Sequence, residues 1–224
     1  MSEILNLSND ISLTKDILIR SASSVGGYTR TQRGGPTLFK IEANLPLLNE
    51  TDHLKVQKEL QSIDEGISFL TGQLPQKALL TPWRGDIVDG GSGITIDTVN
   101  STGSVVVLTG VAATTQTIVD NFDGTYSPQV NYGSYVRAGD FIQFSNSTKV
   151  FQIKQDNISD ASGNLTINLN QGVIVDLLSN TTYVTGNNVQ FKLQLLSQPI
   201  VTAVPQSATT NLYSYNTFTF KETL

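Results

Sequence analysis

The sequence predicts a mainly β protein: a discontinuous β-sandwich with one flanking helix, interrupted by an inserted small β-barrel or sandwich. Three observations predict it. First, "RGGPTLFKIEANLPLL" (33–48) and "TYVTGNNVQFKLQLLSQP" (182–199) each leave a turn, alternate apolar with polar residues and stop at a proline, the pattern of a half-buried strand. Second, Thr, Ser, Asn, Gln, Gly and Val are plentiful while charged residues make up only 15%, which suits strands joined by polar turns. Third, "TPWRGDIVDGGSGI" (81–94) is dense in Pro, Gly and Asp, and after it the texture changes to short β-rich runs, so it marks a boundary.

In chain order, "DILIRSASSV" (16–25) reads as the first leg of a hairpin, "GGYTRTQRGGP" (26–36) as its long connection and "TLFKIEANL" (37–45) as the return strand. "NETDHLKVQKELQSIDEGISFL" (49–70) is the one good helix, with Thr51 as its N-cap and Leu54, Val56, Leu60, Ile63 and Ile67 near helical spacing. Its narrow apolar stripe places it on the surface of a sheet. "GITIDTV", "GSVVVLTGV", "TQTIVDNF", "VRAGDFIQF", "KVFQIKQDNI" and "NLTINL" follow at the close spacing of a small barrel or sandwich. "NVQFKLQLL" is a further strand, "VTAVPQSATT" a loop, and "NLYSYNTFTFKETL" a last strand with a bulge near Asn216. A lone hairpin is marginal in water. Pairing the last strands with the N-terminal hairpin supplies each with a sheet, giving one discontinuous domain of residues 1–84 and 186–224 around an inserted all-β module of residues 85–185. Phe39, Ile41, Leu45, Phe191, Leu193, Phe218 and Phe220 are its expected core.

The chain carries a formal charge of −5, which argues against a surface that neutralises nucleic-acid phosphates. Residues 1–84 hold nine basic and nine acidic side chains, so the excess lies after Arg84. No cysteine is present, which excludes disulfides, thiolate metal sites and cysteine nucleophiles. The absence of a signal-like start and of a long apolar run leads to the expectation of a soluble protein, made in a cytoplasm, without membrane insertion.

Candidate chemistry is sparse. His53 is the sole histidine, without a second imidazole for a metal pair or a "GxSxG" for a hydrolase, and is expected on the helix surface. Asp86, Asp89, Asp120 and Asp123 could offer oxygens to calcium but lack the ligand ladder of a dedicated loop, and Asp-Gly turn chemistry explains them better. Trp83 is the only tryptophan, a poor basis for a sugar-cleaving site. "RGD" (84–86) is a short tripeptide in a boundary loop and carries no weight as an adhesion motif; "GGSGI" lacks the lysine of a phosphate-binding loop. No catalytic, cofactor-binding or metal residue is expected. Tyr28, Arg30 and Arg33, near the hairpin tip, are candidate subunit-interface residues because guanidinium forks can meet a neighbour's carboxylates; a solvated loop is the other reading.

Taken in order, "IRSASSVGGYTRTQRGGPTLFKIEANLPLL", a helix ending near "FLTGQL", "VRAGDFIQFSNSTKVFQIKQDNISDASGNLTINL" and "TFTFKETL" resemble structural proteins of tailed-bacteriophage tails and baseplates, of the distal-tail or tail-tube-initiator kind. The resemblance implies a tail-tube-like β-sandwich and a non-enzymatic virion protein that needs no cofactor. It implies a homo-oligomeric ring, commonly a hexamer, that continues or caps the tail tube and contacts other tube and baseplate proteins. Genome DNA would pass through the lumen without specific binding, and an acidic lining would repel its phosphates. The alternative is a receptor- or carbohydrate-binding module of the tail tip, with Tyr126, Tyr132 and Tyr135 as a platform for sugar.

Overall fold

The structure, a computed structural model, describes residues 2–17, 19–23, 29–33, 37–63, 70–75, 80–99, 104–120, 126–171, 181–197, 199–207 and 210–223. It is mainly β, with several antiparallel sheets and, among the described residues, two α-helices. The chain divides into two compact units, one of Met1–Leu80 with Gln190–Leu224 and one of Thr81–Val189.

The first unit begins with helix α1 (Glu3–Leu7), a single turn with no sequence period to announce it. Ser2 caps it by accepting from the Leu5 N–H at 3.3 Å. The Ile4 N–H, which no residue of so short a helix can satisfy, donates to the Glu59 carboxylate at 2.7 Å, while Ile4 and Leu5 are fully buried. Strands β1 (Asp10–Asp16), β2 (Ile19–Ser23), β3 (Thr29–Arg33) and β4 (Leu38–Asn44) follow. β1 pairs with β4 and β2 with β3, both antiparallel, so the chain runs out and back as one long hairpin whose register shifts between the two ladders. This corrects the sequence reading in two places. The leg facing β4 is "DISLTKD", whose interspersed Asp, Ser, Thr and Lys hide its alternation, and the supposed connection contains strand β3.

Helix α2 (Glu50–Ser62) is capped by Asn49, not Thr51: the Asn49 carboxamide accepts from the Asp52 N–H at 2.9 Å. Val56 and Ile63 are buried, whereas Leu54 is exposed; Ile67 lies outside the described residues. Strand β5 (Leu70–Gly72) completes this part.

The second unit contains β6 (Thr95–Val99), β7 (Val105–Thr109), β8 (Thr115–Asp120), β9 (Tyr126–Asn131), β10 (Tyr135–Val136), β11 (Phe141–Phe144), β12 (Val150–Gln152), β13 (Asn157–Ile158), β14 (Asn164–Asn168) and β15 (Tyr183–Thr185). Two three-stranded sheets, β12-β11-β15 and β14-β7-β6, and the pair β10-β13 are present. Ile96, Val106, Leu108, Ile142, Phe144, Phe151, Leu165 and Ile167 share one buried cluster. The arrangement is sandwich-like; among the described residues no sheet closes into a barrel. Turns are pinned by aspartates. The Asp160 carboxylate accepts from the Ser162 and Asn164 N–H groups at 2.9 and 2.8 Å, and Gly163 takes the positive φ of 76° that the turn requires.

The chain re-enters the first unit as β16 (Phe191–Leu195), β17 (Val201–Pro205), β18 (Asn211–Tyr215) and β19 (Phe218–Glu222). β19 lies between β4 and β16 in a five-stranded sheet of order β1-β4-β19-β16-β5. Phe39, Ile41, Ala43, Phe191, Leu193, Phe218 and Phe220 are buried on one face, and Leu45, beyond the end of β4, is only half-buried. On the other face Lys40 stands opposite Lys221, a repulsive cross-strand pair relieved by Glu42 on Lys40 and Asp16 on Lys221, both at 2.6 Å. The change of phase near Asn216 is not a bulge. It separates β18, which pairs with β17, from β19, and the Asn216 side chain accepts from the Ile200 N–H at 2.8 Å. Segment 201–205, read from sequence as loop, is strand β17.

Backbone and side-chain hydrogen bonds from Asn164 hold the Asp160 carboxyl below the usual range. The Ala138 N–H, and then Arg137, do the same for Asp156. Carboxyls depressed on folding contribute stability that is complete above about pH 4 and lost as pH falls through their lowered folded values. Urea titrations should therefore show the protein losing stability as pH falls below about pH 4, and Asp160→Ala should lose less over that range. An unchanged pH slope in the variant would contradict the assignment.

Candidate functional site

The residues singled out from sequence do not converge. Tyr28 lies outside the described residues; Arg30 and Arg33 sit on β3, their backbones opposite Ala22 and Ile19. Asp89 is used locally: its carboxylate accepts from the Gly91 and Gly93 N–H groups at 2.8 and 3.0 Å, ordinary Asp-turn chemistry. Asp123 lies outside the described residues, and Asp120 ends β8. Among the described residues no three acidic or histidine side chains gather as a metal site.

The "RGD" tripeptide is tied down. The buried Asp140 carboxylate accepts from the Arg84 N–H at 2.8 Å, the Gly85 N–H at 2.9 Å and the Arg84 guanidinium Nε at 3.0 Å. The same guanidinium also donates to the Ala138 carbonyl. Asp86 exchanges two backbone hydrogen bonds with Tyr135. A Cβ at Gly85 would come within 2.7 Å of the Tyr135 carbonyl, so glycine is needed for close approach of two backbones. Trp83 packs against the core of the second unit. These residues latch the start of the unit to its β10–β11 turn.

The three tyrosines of the sugar-platform reading are not one surface. Tyr126 pairs with Asp120 at one end of β9, and Tyr132 follows its other end, about 20 Å away along an extended chain. Tyr135 lies under the Arg137 guanidinium at 5.0 Å, a cation–π contact.

His53 is half-buried rather than free on the surface. Its ring stacks on Tyr213 at 3.7 Å, with 6° between the planes. Its Nδ1 lies 2.8 Å from the Tyr215 hydroxyl, which also accepts from the Gln57 carboxamide at 2.9 Å. Burial is the main reason the Tyr215 phenol is pushed up. Phenol, imidazole and carboxamide are all engaged with one another, so the group serves to fasten α2 to β18.

Beside this clamp lies the feature that sequence reading missed. A groove of about 810 Å³ runs between Gln57, Leu60 and Gln61 of α2, with Ile63 just past its end, and residues 194–197, 199 and 201. No charged side chain lines it among the described residues. Every residue of β17 is exposed. A signal was available: residues 193–220 contain no Asp, Glu, Lys, Arg or His, in a chain that is 15% charged. Exposed strands are ordinarily guarded by charge; β17 and its partner β18 carry none.

Comparison with protein-family models and with curated protein sequences returns no match for this chain.

Replacing Asp140 by Ala strands the amides of Arg84 and Gly85 in a part-buried setting, at a cost of about 1–3 kcal/mol. Asp140→Ala should lower the thermal midpoint of the second unit, seen in near-ultraviolet circular dichroism through Trp83, while Asp86→Ala should leave it nearly unchanged. Equal effects of the two would contradict the latch.

Proposed function

We propose that the chain is a non-enzymatic virion structural protein of a phage tail or baseplate, assembling into a ring that continues or caps the tail tube and links it to neighbouring baseplate proteins. The observation that carries this reading is the sheet built from both ends of the chain: it terminates in β1 on one side and β5 on the other, and β1 is largely exposed. Joining the β1 border of one copy to the opposite border of the next is a head-to-tail contact, which generates a ring when its rotation closes. It also removes edges that would otherwise recruit the wrong partner. The phage assignment itself rests on the sequence resemblance, as does the expectation of six copies.

Native mass spectrometry and negative-stain imaging of the purified full chain over a range of concentrations test the reading. Closed rings of uniform copy number with an open lumen are expected. Monomers alone, or assemblies that never exceed two copies at the highest concentration, would overturn it.

A further inference from the structure

The β17–β18 hairpin carries a second, independent message in its backbone. The Asn216 N–H donates to the Ile200 carbonyl and the Gln206 N–H to the Thr210 carbonyl, while Tyr213 exchanges both of its backbone bonds with Leu48 on the far side of β18. Hydrogen-bonded and non-hydrogen-bonded pairs alternate along an antiparallel ladder. Ile200, Thr202, Val204 and Gln206 therefore direct their backbone groups toward β18. Val201, Ala203 and Pro205 direct theirs outward, to an edge that no described strand pairs.

Pro205, which has no N–H, occupies an outward position, so it leaves the β17–β18 ladder intact and removes one donor from the free edge. Two properties of that edge suit it to a copy of itself. The edge has no charge to repel a copy of itself. Its exposed apolar side chains, Ile200 at 70%, Val201 at 41% and Val204 at 37%, would all lose solvent in a strand-to-strand contact.

We propose that β17 is a two-fold self-association site, pairing antiparallel with β17 of a second copy about a centre at Ala203. In that register Ala203 faces Ala203 of the second copy and exchanges two N–H···O bonds with it. Each Val201 N–H donates to the Pro205 carbonyl opposite, and each Thr202 lies against a Val204, a favourable β-branched pair. An uncharged strand is what this uncharged edge accepts. β17 is exposed at every position and carries no charge, whereas the exposed border β1 holds Asp10, Lys15 and Asp16. The contact does not depend on the ring reading. A ring closes on head-to-tail contacts, while this one is two-fold and joins two copies, or two rings back to back.

The test uses charge at the centre of the proposed axis. Ala203 is exposed, so Ala203→Lys and Ala203→Glu are compatible with the fold of the single chain, which circular dichroism would verify. In sedimentation velocity the wild type should form even-numbered assemblies. Each variant alone should halve the assembly or weaken its association at least tenfold, because like charges would stand directly opposite one another. An equimolar mixture of the two variants should restore it. In hydrogen exchange, the Val201 and Ala203 amides should gain protection with concentration in the wild type and not in Ala203→Lys. A wild type that is monomeric at high concentration, variants that associate as the wild type does, or a mixture that fails to recover would each overturn the two-fold contact. A monomeric wild type would overturn the ring reading as well, whereas variants that associate as the wild type does, or a mixture that fails to recover, would overturn the two-fold contact and leave the ring reading standing.

Discussion

The first unit depends on one ladder, the antiparallel pairing of β19 with β4 from Phe218 opposite Ala43 to Lys221 opposite Lys40. Without it, the N-terminal hairpin has a single apolar face with nothing beside it, and β16 with β5 is a fragment. With it, Ile41 sits between Leu13 and Phe220 across three strands, and the buried phenylalanines of both chain ends form one apolar layer. The ladder joins segments separated by roughly 180 residues, and closing a flexible loop of that length costs about 4–5 kcal/mol. A second unit that folds on its own internal contacts shortens the effective loop, which explains how such a distant pairing can be sustained.

The ends of the sheet follow from the same arrangement. An interrupted sheet has two borders, and here the chain treats its exposed strands differently. The β1 border bears acidic and basic side chains, the usual guard against indiscriminate pairing. The β17 edge bears none and is protected only by its shortness and by Pro205. That contrast separates a border suited to a charged, oriented contact from an edge suited to a copy of itself.

The half-buried strands were legible in the sequence because burial on one face imposes a period of two. β4 and β16 show it plainly, and the short runs of the second unit are found where their turn residues bracket them. Strands exposed on both faces impose no period, which is why "VTAVP" reads as loop, and an amphipathic border strand such as "DISLTKD" is diluted by polar residues. Helix α1 is invisible for another reason: five residues hold no periodicity, and its stability comes from Glu59, which lies more than fifty positions away. Asn49 took the cap from Thr51 because the chain enters the helix two residues earlier than the apolar spacing suggests. Tyr28, Arg30 and Arg33 stand out by side-chain chemistry, while the groove and the uncharged hairpin are signalled only by a gap in composition that holds no reactive residue.

The pairing of the two chain ends can be measured directly because the protein has no cysteine. Glu42 and Thr219 are opposite one another in the β4–β19 ladder, within the Cα separation that a disulfide spans. A chain carrying Glu42→Cys and Thr219→Cys, oxidised gently at low concentration, should close almost completely into an internally linked form, seen as faster migration on a non-reducing gel and reversed by reductant. A folded double variant that stays open under those conditions would contradict the single interrupted sheet on which the account stands.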